Sequence, residues 1–88
     1  MAKLVDLPNI GDTLAAELRE VGITSPTKLR RTGSVTAALR LRESGASVCS
    51  SKLYALEGAI RGVRWHAIPP EERSALWGKF MSGVVGGT

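Results

Sequence analysis

The 88-residue sequence has few of the residues on which catalytic and metal sites depend. It contains one cysteine, one histidine, two tryptophans, one tyrosine and one phenylalanine. A single cysteine cannot form an internal disulfide, which favours a reducing compartment. One cysteine and one histidine also fall short of the Cys/His sets that bind zinc, and no acid lies at a useful helical spacing from His66. We therefore expect no metal, no cofactor, no small-molecule substrate and no enzymatic activity.

Long hydrophobic runs are also missing. No apolar stretch approaches the ~20 residues of a membrane helix, and the opening "MAKLVD" has no signal-peptide core. Hydrophobic residues make up 43% of the chain, which is typical of a globular domain rather than a disordered one. We expect a cytoplasmic protein, not bound to a membrane, with a single domain over residues 1–88. Its ordered core should cover about residues 5–83, with a frayed end over 84–88.

The hydrophobic pattern indicates helices and no strands. No segment alternates with period two, whereas apolar residues recur at helical spacing between prolines and glycines. A short turn through Leu4 and Val5 precedes the first helix, which follows Gly11. Further helices are predicted from Ser25-Pro26 to Gly33 and then, capped by Ser34, over about 35–43, 47–61 and 70–83. The predicted fold is all-α, with about five short helices in one compact bundle-like domain.

The helical spacing also predicts the core. The helix over 47–61 has an apolar stripe on one face and small residues on another, which is typical of a central helix. Trp65, between Gly62 and Pro69, is expected to pack against the body and fasten the last helix. The predicted structural core comprises Leu14, Leu18, Cys49, Leu53, Leu56, Ile60 and Trp65.

The stretch "LPNIG", residues 7–11, is typical of the turn in a helix-hairpin-helix. Such turns bring backbone amides close to a nucleic-acid phosphate, and glycines there allow positive φ. Asn9 replaces the first glycine and tolerates left-handed geometry, while Gly11 is the second. Asp12 follows at once and repels an anion, so a purely structural turn is favoured. The candidate phosphate contacts are Asn9, Ile10, Gly11 and Thr13.

A basic segment gives a second candidate contact with nucleic acid. The formal net charge is +4, and no acid falls within residues 28–42. Lys28, Arg30 and Arg31 surround Leu29 on a short helix, but no aromatic residue that could stack on a base lies among them. A solvated face is the favoured interpretation, and weak contact with a DNA backbone is the alternative.

Two features of the later helices have structural interpretations. Glu57 is expected to pair with Arg61, four residues on. The last helix has a broad apolar face that either covers the core, which we favour, or forms a homodimer. That face comprises Leu76, Trp77, Phe80, Met81 and Val84.

Three stretches together resemble the C-terminal domain of the TfoX/Sxy family of bacterial competence regulators. They are "LPNIG", the "VGI" that follows the first helix, and "LYALEGAIRGVRWHAIPPEER" at residues 53–73. The resemblance covers about residues 5–77. It implies a small helical fold with a helix-hairpin-helix-like element and a regulatory role in natural DNA uptake. Family members commonly carry Pro-Lys where this chain has Asp12-Thr13.

Two functions are compatible with these observations. The first is a non-enzymatic regulatory module that binds a protein partner and is linked to competence. The second is a weak, sequence-independent DNA-binding accessory domain that uses the hairpin and the basic cluster. Asp12 favours the first, because a carboxylate beside the turn weakens an anion site.

Overall fold

A computed structural model describes residues 3–86 and confirms the predicted all-α class. Two short 3₁₀ turns accompany the helices, one at Leu4–Asp6 and the other at Trp65–Ala67. The five α-helices of the described residues are α1 (Asp12–Glu20), α2 (Pro26–Thr32), α3 (Ser34–Glu43), α4 (Ser50–Arg61) and α5 (Pro70–Gly86).

Local signals in the sequence fix most helix ends. The Ser25 hydroxyl accepts a hydrogen bond from the Lys28 amide (3.2 Å) and caps α2, with Pro26 in the first turn. Gly62 ends α4 in the left-handed conformation (φ 76°), which glycine adopts without strain. Ser34 differs from its predicted role as a cap. It is the first residue of α3, the cap position is Gly33, and the Ser34 hydroxyl bonds elsewhere.

Helices α3 and α4 lie together at the centre of the fold. Helix α3 packs against α1, α2, α4 and α5, and α4 packs against α2, α3, α5 and the 3₁₀ turn Trp65–Ala67. The central position predicted for α4 is confirmed, and α3 shares it. Ala37 and Ala38 of α3, both fully buried, let neighbouring helices approach closely. Leu39 on the same helix meets α5 at Gly83, where an added Cβ would lie 2.6 Å from Leu39 Cδ1.

Five of the seven predicted core residues belong to the hydrophobic cluster or pack against it. Leu18, Leu53 and Leu56 are fully buried, and Leu14 and Ile60 are partly buried against the same cluster. Cys49, by contrast, is exposed. The prediction extended α4 back to residue 47, whereas the helix begins at Ser50 and Cys49 is its N-cap with extended backbone. The helical stripe therefore stops before Cys49.

The apolar face of α5 mostly covers the core. Phe80 is buried, Leu76, Trp77 and Val84 pack against the core cluster, and Met81 is exposed. This packing accounts for most of the broad face, and a homodimer through α5 stays a prediction. The helix continues to Gly86, so residues 84–86 are helical where the sequence predicted a frayed end. Residues 87 and 88 lie outside the described residues.

Candidate functional site

The hairpin turn connects the first 3₁₀ turn to α1. Asn9 has the left-handed conformation expected of it, with φ 69°, and is the one non-glycine residue with positive φ among residues 3–86. The Ile10 amide bonds back to the Leu7 carbonyl (3.4 Å), and the Ile10 side chain is 5% exposed. Ile10 therefore anchors the turn in the core and does not present its side chain to a ligand.

The partly buried Asn9 side chain is hydrogen-bonded to the body of the protein. Its amide nitrogen donates to the carbonyl oxygens of Val63 (3.0 Å) and Ala55 (3.4 Å). Its carbonyl oxygen accepts from the Trp65 amide (3.4 Å). These three bonds join the hairpin turn to α4 and to the connector that follows it, residues 62–69. They require the Asn9 side chain to lie close to the backbone of Gly58, where an added Cβ would lie 2.6 Å from Asn9 Nδ2.

The start of α1 has the geometry of an ordinary N-terminus. Gly11 is the N-cap with extended backbone (φ −94°), and a Cβ added there would meet nothing within 4 Å. Gly11 therefore does not supply the positive φ that glycines allow in such turns. Any L-residue can adopt a φ of −94°. Asp12 occupies the first helical position, where its carboxylate interacts favourably with the helix dipole. Thr13 is exposed on the same turn.

A small cleft lies beside the turn, and we call it the hairpin cleft. Its volume is about 530 Å³. Of its basic residues, Lys52 is already paired with Glu17 (3.0 Å) and donates to the Ser47 carbonyl (2.6 Å). Its lining comprises Asn9, Leu14, Ser51, Lys52, Ala55, Arg64, Trp65 and His66.

The connector after α4 contains a cluster of aromatic rings around Trp65. Trp65 is partly buried, with its centroid 5.7 Å from that of Tyr54 and 3.9 Å from that of His66. The Arg73 guanidinium of α5 lies 5.5 Å from the Trp65 ring centroid, within cation–π range. Trp65 thus links α4, the connector and α5, which is the fastening role predicted for it.

Glu57 forms the predicted ion pair within a larger network. It accepts hydrogen bonds from Arg61 Nε (2.8 Å) and from the Ser34 hydroxyl (2.6 Å). Arg61 also contacts Glu72 of α5 (2.8 Å), so the network joins three helices. Burial raises the pKa of Glu57, but the bonds from Ser34 and Arg61 and the charges of Arg61 and Lys79 outweigh it. The net pKa of Glu57 is lowered from its ordinary value.

The residues of the predicted basic cluster, Lys28, Arg30 and Arg31, are all exposed on α2. Arg30 lines a second cleft, whose lining does not include Asn9. Joint contact of the hairpin and the basic cluster with nucleic acid stays a prediction.

The cleft that Arg30 lines is the larger of the two, with a volume of about 710 Å³. Lys3 precedes the first 3₁₀ turn, Arg19 lies in the last turn of α1 and Arg30 lies on α2, and all three line this cleft. No acidic residue is part of its lining. Sequence reasoning did not find this grouping, because the three cations are far apart in the chain. We call this site the basic cleft, and its lining comprises Lys3, Leu4, Val5, Arg19, Thr24, Ser25, Pro26, Thr27 and Arg30.

Among residues 3–86, no group of three or more His, Cys, Asp and Glu side chains could hold a metal ion. None of the helices in the same range combines the length and the apolar character needed to cross a bilayer.

The helical fold with its hairpin turn is that of a known family of small domains. The model of the TfoX C-terminal domain family matches residues 1–80, and the chain belongs to this family. It is 42% identical over 74 residues to protein Sxy of Escherichia coli (strain K12), a match that covers 84% of this chain and 35% of Sxy. The chain thus spans about a third of the length of that relative.

Solved structures from Listeria monocytogenes share the fold over nearly their whole length. An uncharacterized protein in a triclinic crystal form superposes with a TM-score of 0.86 at 45% identity, covering 97% of this chain and 96% of that one. A protein of unknown function in a tetragonal form gives a TM-score of 0.83 at 44% identity, covering 89% and 96% respectively.

Proposed function

We propose that this chain is a non-enzymatic regulatory module that acts in the cytoplasm, in the control of DNA uptake, by binding a protein partner through the basic cleft. Family membership and the match to Sxy support a competence-related regulatory role. The hydrogen bonds of Asn9 carry the choice of a protein partner over DNA. Its side chain makes three hydrogen bonds to the body and is not free to add a contact to a phosphate at the backbone amides of the turn.

The rest of the turn points the same way. Ile10 is buried, and Asp12 places a carboxylate at the first turn of α1, where an incoming phosphate would have to lie. The basic cleft, in contrast, has a concave apolar floor, and its volume falls in the range of about 300–1,000 Å³ typical of binding sites. The hairpin therefore has a structural role, and the basic cleft is the surface that binds.

Genetic replacement in the host tests this function. Arg19→Gln combined with Arg30→Gln removes two cations from the basic cleft, and transcripts of the DNA-uptake genes should no longer respond. Arg40→Gln combined with Arg42→Gln is the matched control, because it removes the same charge from exposed positions of α3 outside the cleft.

A photo-crosslinking residue at Thr27 identifies the contact directly, with the same residue at Arg42 as the control. A protein adduct from Thr27 alone, with loss of regulation in the cleft double variant, is the expected result. Normal regulation by the cleft double variant, or crosslinks only to DNA, contradicts the proposal.

Weak DNA binding is the second candidate function. Lys28, Arg30 and Arg31 favour it, because all three are exposed and none is in a salt bridge among residues 3–86. Neutralising three phosphates gives a slope of about −2.7 for the logarithm of affinity against the logarithm of salt concentration.

A DNA titration in which Pro-Lys replaces Asp12-Thr13 tests the hairpin's part in this function. A hairpin that faces DNA gains affinity from the change, because a repelling carboxylate is lost and a cation is added. Unchanged affinity means that the hairpin does not touch DNA.

A further inference from the structure

The basic cleft combines positive charge with apolar surface. Lys3, Arg19 and Arg30 line it, and none of them is in a salt bridge with a carboxylate among residues 3–86. The acids nearest in sequence, Asp6 and Glu20, are not part of the lining. Asp6 instead accepts a hydrogen bond from the Lys3 amide (2.9 Å) inside the 3₁₀ turn. The positive charge of the cleft is therefore available to a ligand.

The floor of the same cleft is apolar. Leu4 and Pro26 are buried beneath it, and Val5 is 39% exposed, one of the few large hydrophobic side chains on the described surface. Thr24 and Thr27 contribute hydroxyl groups to the lining. A phosphate backbone would satisfy the cations but leave this floor uncovered, so the cleft favours a ligand with both charges and apolar groups.

From this complementarity we infer that the basic cleft binds an acidic peptide segment with interspersed apolar side chains, contributed by the regulatory partner. The inference rests on the proposed function and specifies the chemistry of its ligand. Carboxylates of the segment pair with Lys3 and with Arg19 and Arg30, whose guanidinium groups each donate two parallel hydrogen bonds to a carboxylate. An apolar side chain of the segment covers Val5, and the threonine hydroxyls donate to its backbone carbonyls.

Fluorescence anisotropy with designed peptides tests this inference on the full chain. The probe is a fluorescein-labelled 12-residue peptide in which Asp and Glu alternate with Leu and Phe. One control peptide has Ser in place of every Leu and Phe, a second has Lys in place of every acid, and a 20-base-pair duplex tests DNA. We expect the acidic apolar peptide to bind most tightly of the four.

The protein variants locate the binding. Arg19→Gln combined with Arg30→Gln should lower the affinity for the probe about tenfold, as expected for the loss of two exposed ion pairs. Val5→Ser should weaken it by about threefold or more, while leaving the Ser-substituted peptide unaffected. The matched pair Arg40→Gln and Arg42→Gln should change binding less than about twofold, and circular dichroism checks that all variants remain folded.

Each contrary result has a distinct meaning. Equal binding of the acidic apolar and Ser-substituted peptides, or tighter binding of the duplex, overturns the inference by showing a simple polyanion surface. No binding of the probe also overturns it. The proposed function is judged separately, because the crosslink from Thr27 and the transcript assay assume nothing about the partner's sequence.

Discussion

Gly58→Ala tests the central structural claim, that the Asn9 side chain joins the hairpin turn to the end of α4. Gly58 lies inside α4, where alanine is normally preferred by about 0.5–1 kcal/mol. Helix propensity alone therefore predicts a more stable protein. The tertiary structure predicts the opposite sign. A Cβ on Gly58 would lie 2.6 Å from Asn9 Nδ2, 2.7 Å from the Val63 carbonyl oxygen and 3.1 Å from the Trp65 amide nitrogen.

The magnitude follows from these contacts. Two of the three atoms belong to the backbone and cannot rotate away, so relief requires a shift of the connector. Overpacking of this kind costs about 1–3 kcal/mol. Displacing Asn9 also weakens its hydrogen bonds, each of which contributes about 0.5–1.5 kcal/mol. After subtracting the propensity gain, we expect Gly58→Ala to lower the free energy of unfolding by about 1–3 kcal/mol.

Urea unfolding followed by circular dichroism measures this loss, and Gly78→Ala is the matched control. Gly78 also lies inside a helix, but a Cβ added there meets nothing within 4 Å. That variant should gain about 0.5–1 kcal/mol. Asn9→Gly measures the contribution of the Asn9 side chain to stability, because glycine adopts the same positive φ but cannot form the side-chain hydrogen bonds.

Gly58→Ala should therefore lower the stability of the protein, and Gly78→Ala should raise it. The thermal midpoint of Gly58→Ala should fall by at least about 4 °C while that of Gly78→Ala rises. If both substitutions stabilise the protein, the connector does not approach α4 as described, and the structural role assigned to Asn9 is refuted.

Three further predictions concern the core, the ion network and the connector. Leu56→Ala should cost about 2–5 kcal/mol in urea unfolding, whereas Cys49→Ala should cost less than about 0.5 kcal/mol, since Leu56 is fully buried and Cys49 exposed. An equal loss of stability in the two variants would show that Cys49 is buried and that α4 does not begin at Ser50. Ionised Glu57 stabilises the fold above its ordinary pKa of 4.5, and this contribution is lost as pH falls through its lowered folded pKa. Unfolding measured from about pH 7 to pH 3 should show that Glu57→Gln is less stable near neutrality and that the difference shrinks below about pH 5. If the stability difference between the two proteins did not change with pH, the charge of Glu57 would not be its cause. In a Trp77→Phe background, acrylamide should quench Trp65 less than free tryptophan, and full quenching would show that the ring is not packed.

Local chemistry in the sequence determined the helices. Ser25-Pro26 specifies the start of α2 by a cap and a fixed φ, and Gly62 ends α4 in a left-handed conformation. The spacing of Leu53 and Leu56 places one face of α4 in the core, because helical periodicity is a property of the chain itself. These features depend on residues within a turn or two of each other, so they can be recognised without the fold.

Tertiary structure decided where that local pattern stops. The stripe through α4 predicted a buried Cys49, but the helix begins one residue later and the thiol is exposed. Ser34 has the residue type of a helix cap, yet its hydroxyl bonds to Glu57 of another helix. Neither the exposure of Cys49 nor the bond from Ser34 to Glu57 follows from residue type alone.

The candidate site depended on tertiary structure almost entirely. "LPNIG" indicated a tight turn in which Asn9 tolerates left-handed geometry, and Asn9 has φ 69°. Only the fold decided that the Asn9 side chain points inward, because its partners lie 46 to 56 residues away. The basic cleft likewise assembles Lys3, Arg19 and Arg30 from three separate elements. Charges that meet through the packing of helices leave no periodic signal in the chain, whereas a turn or a helix cap does.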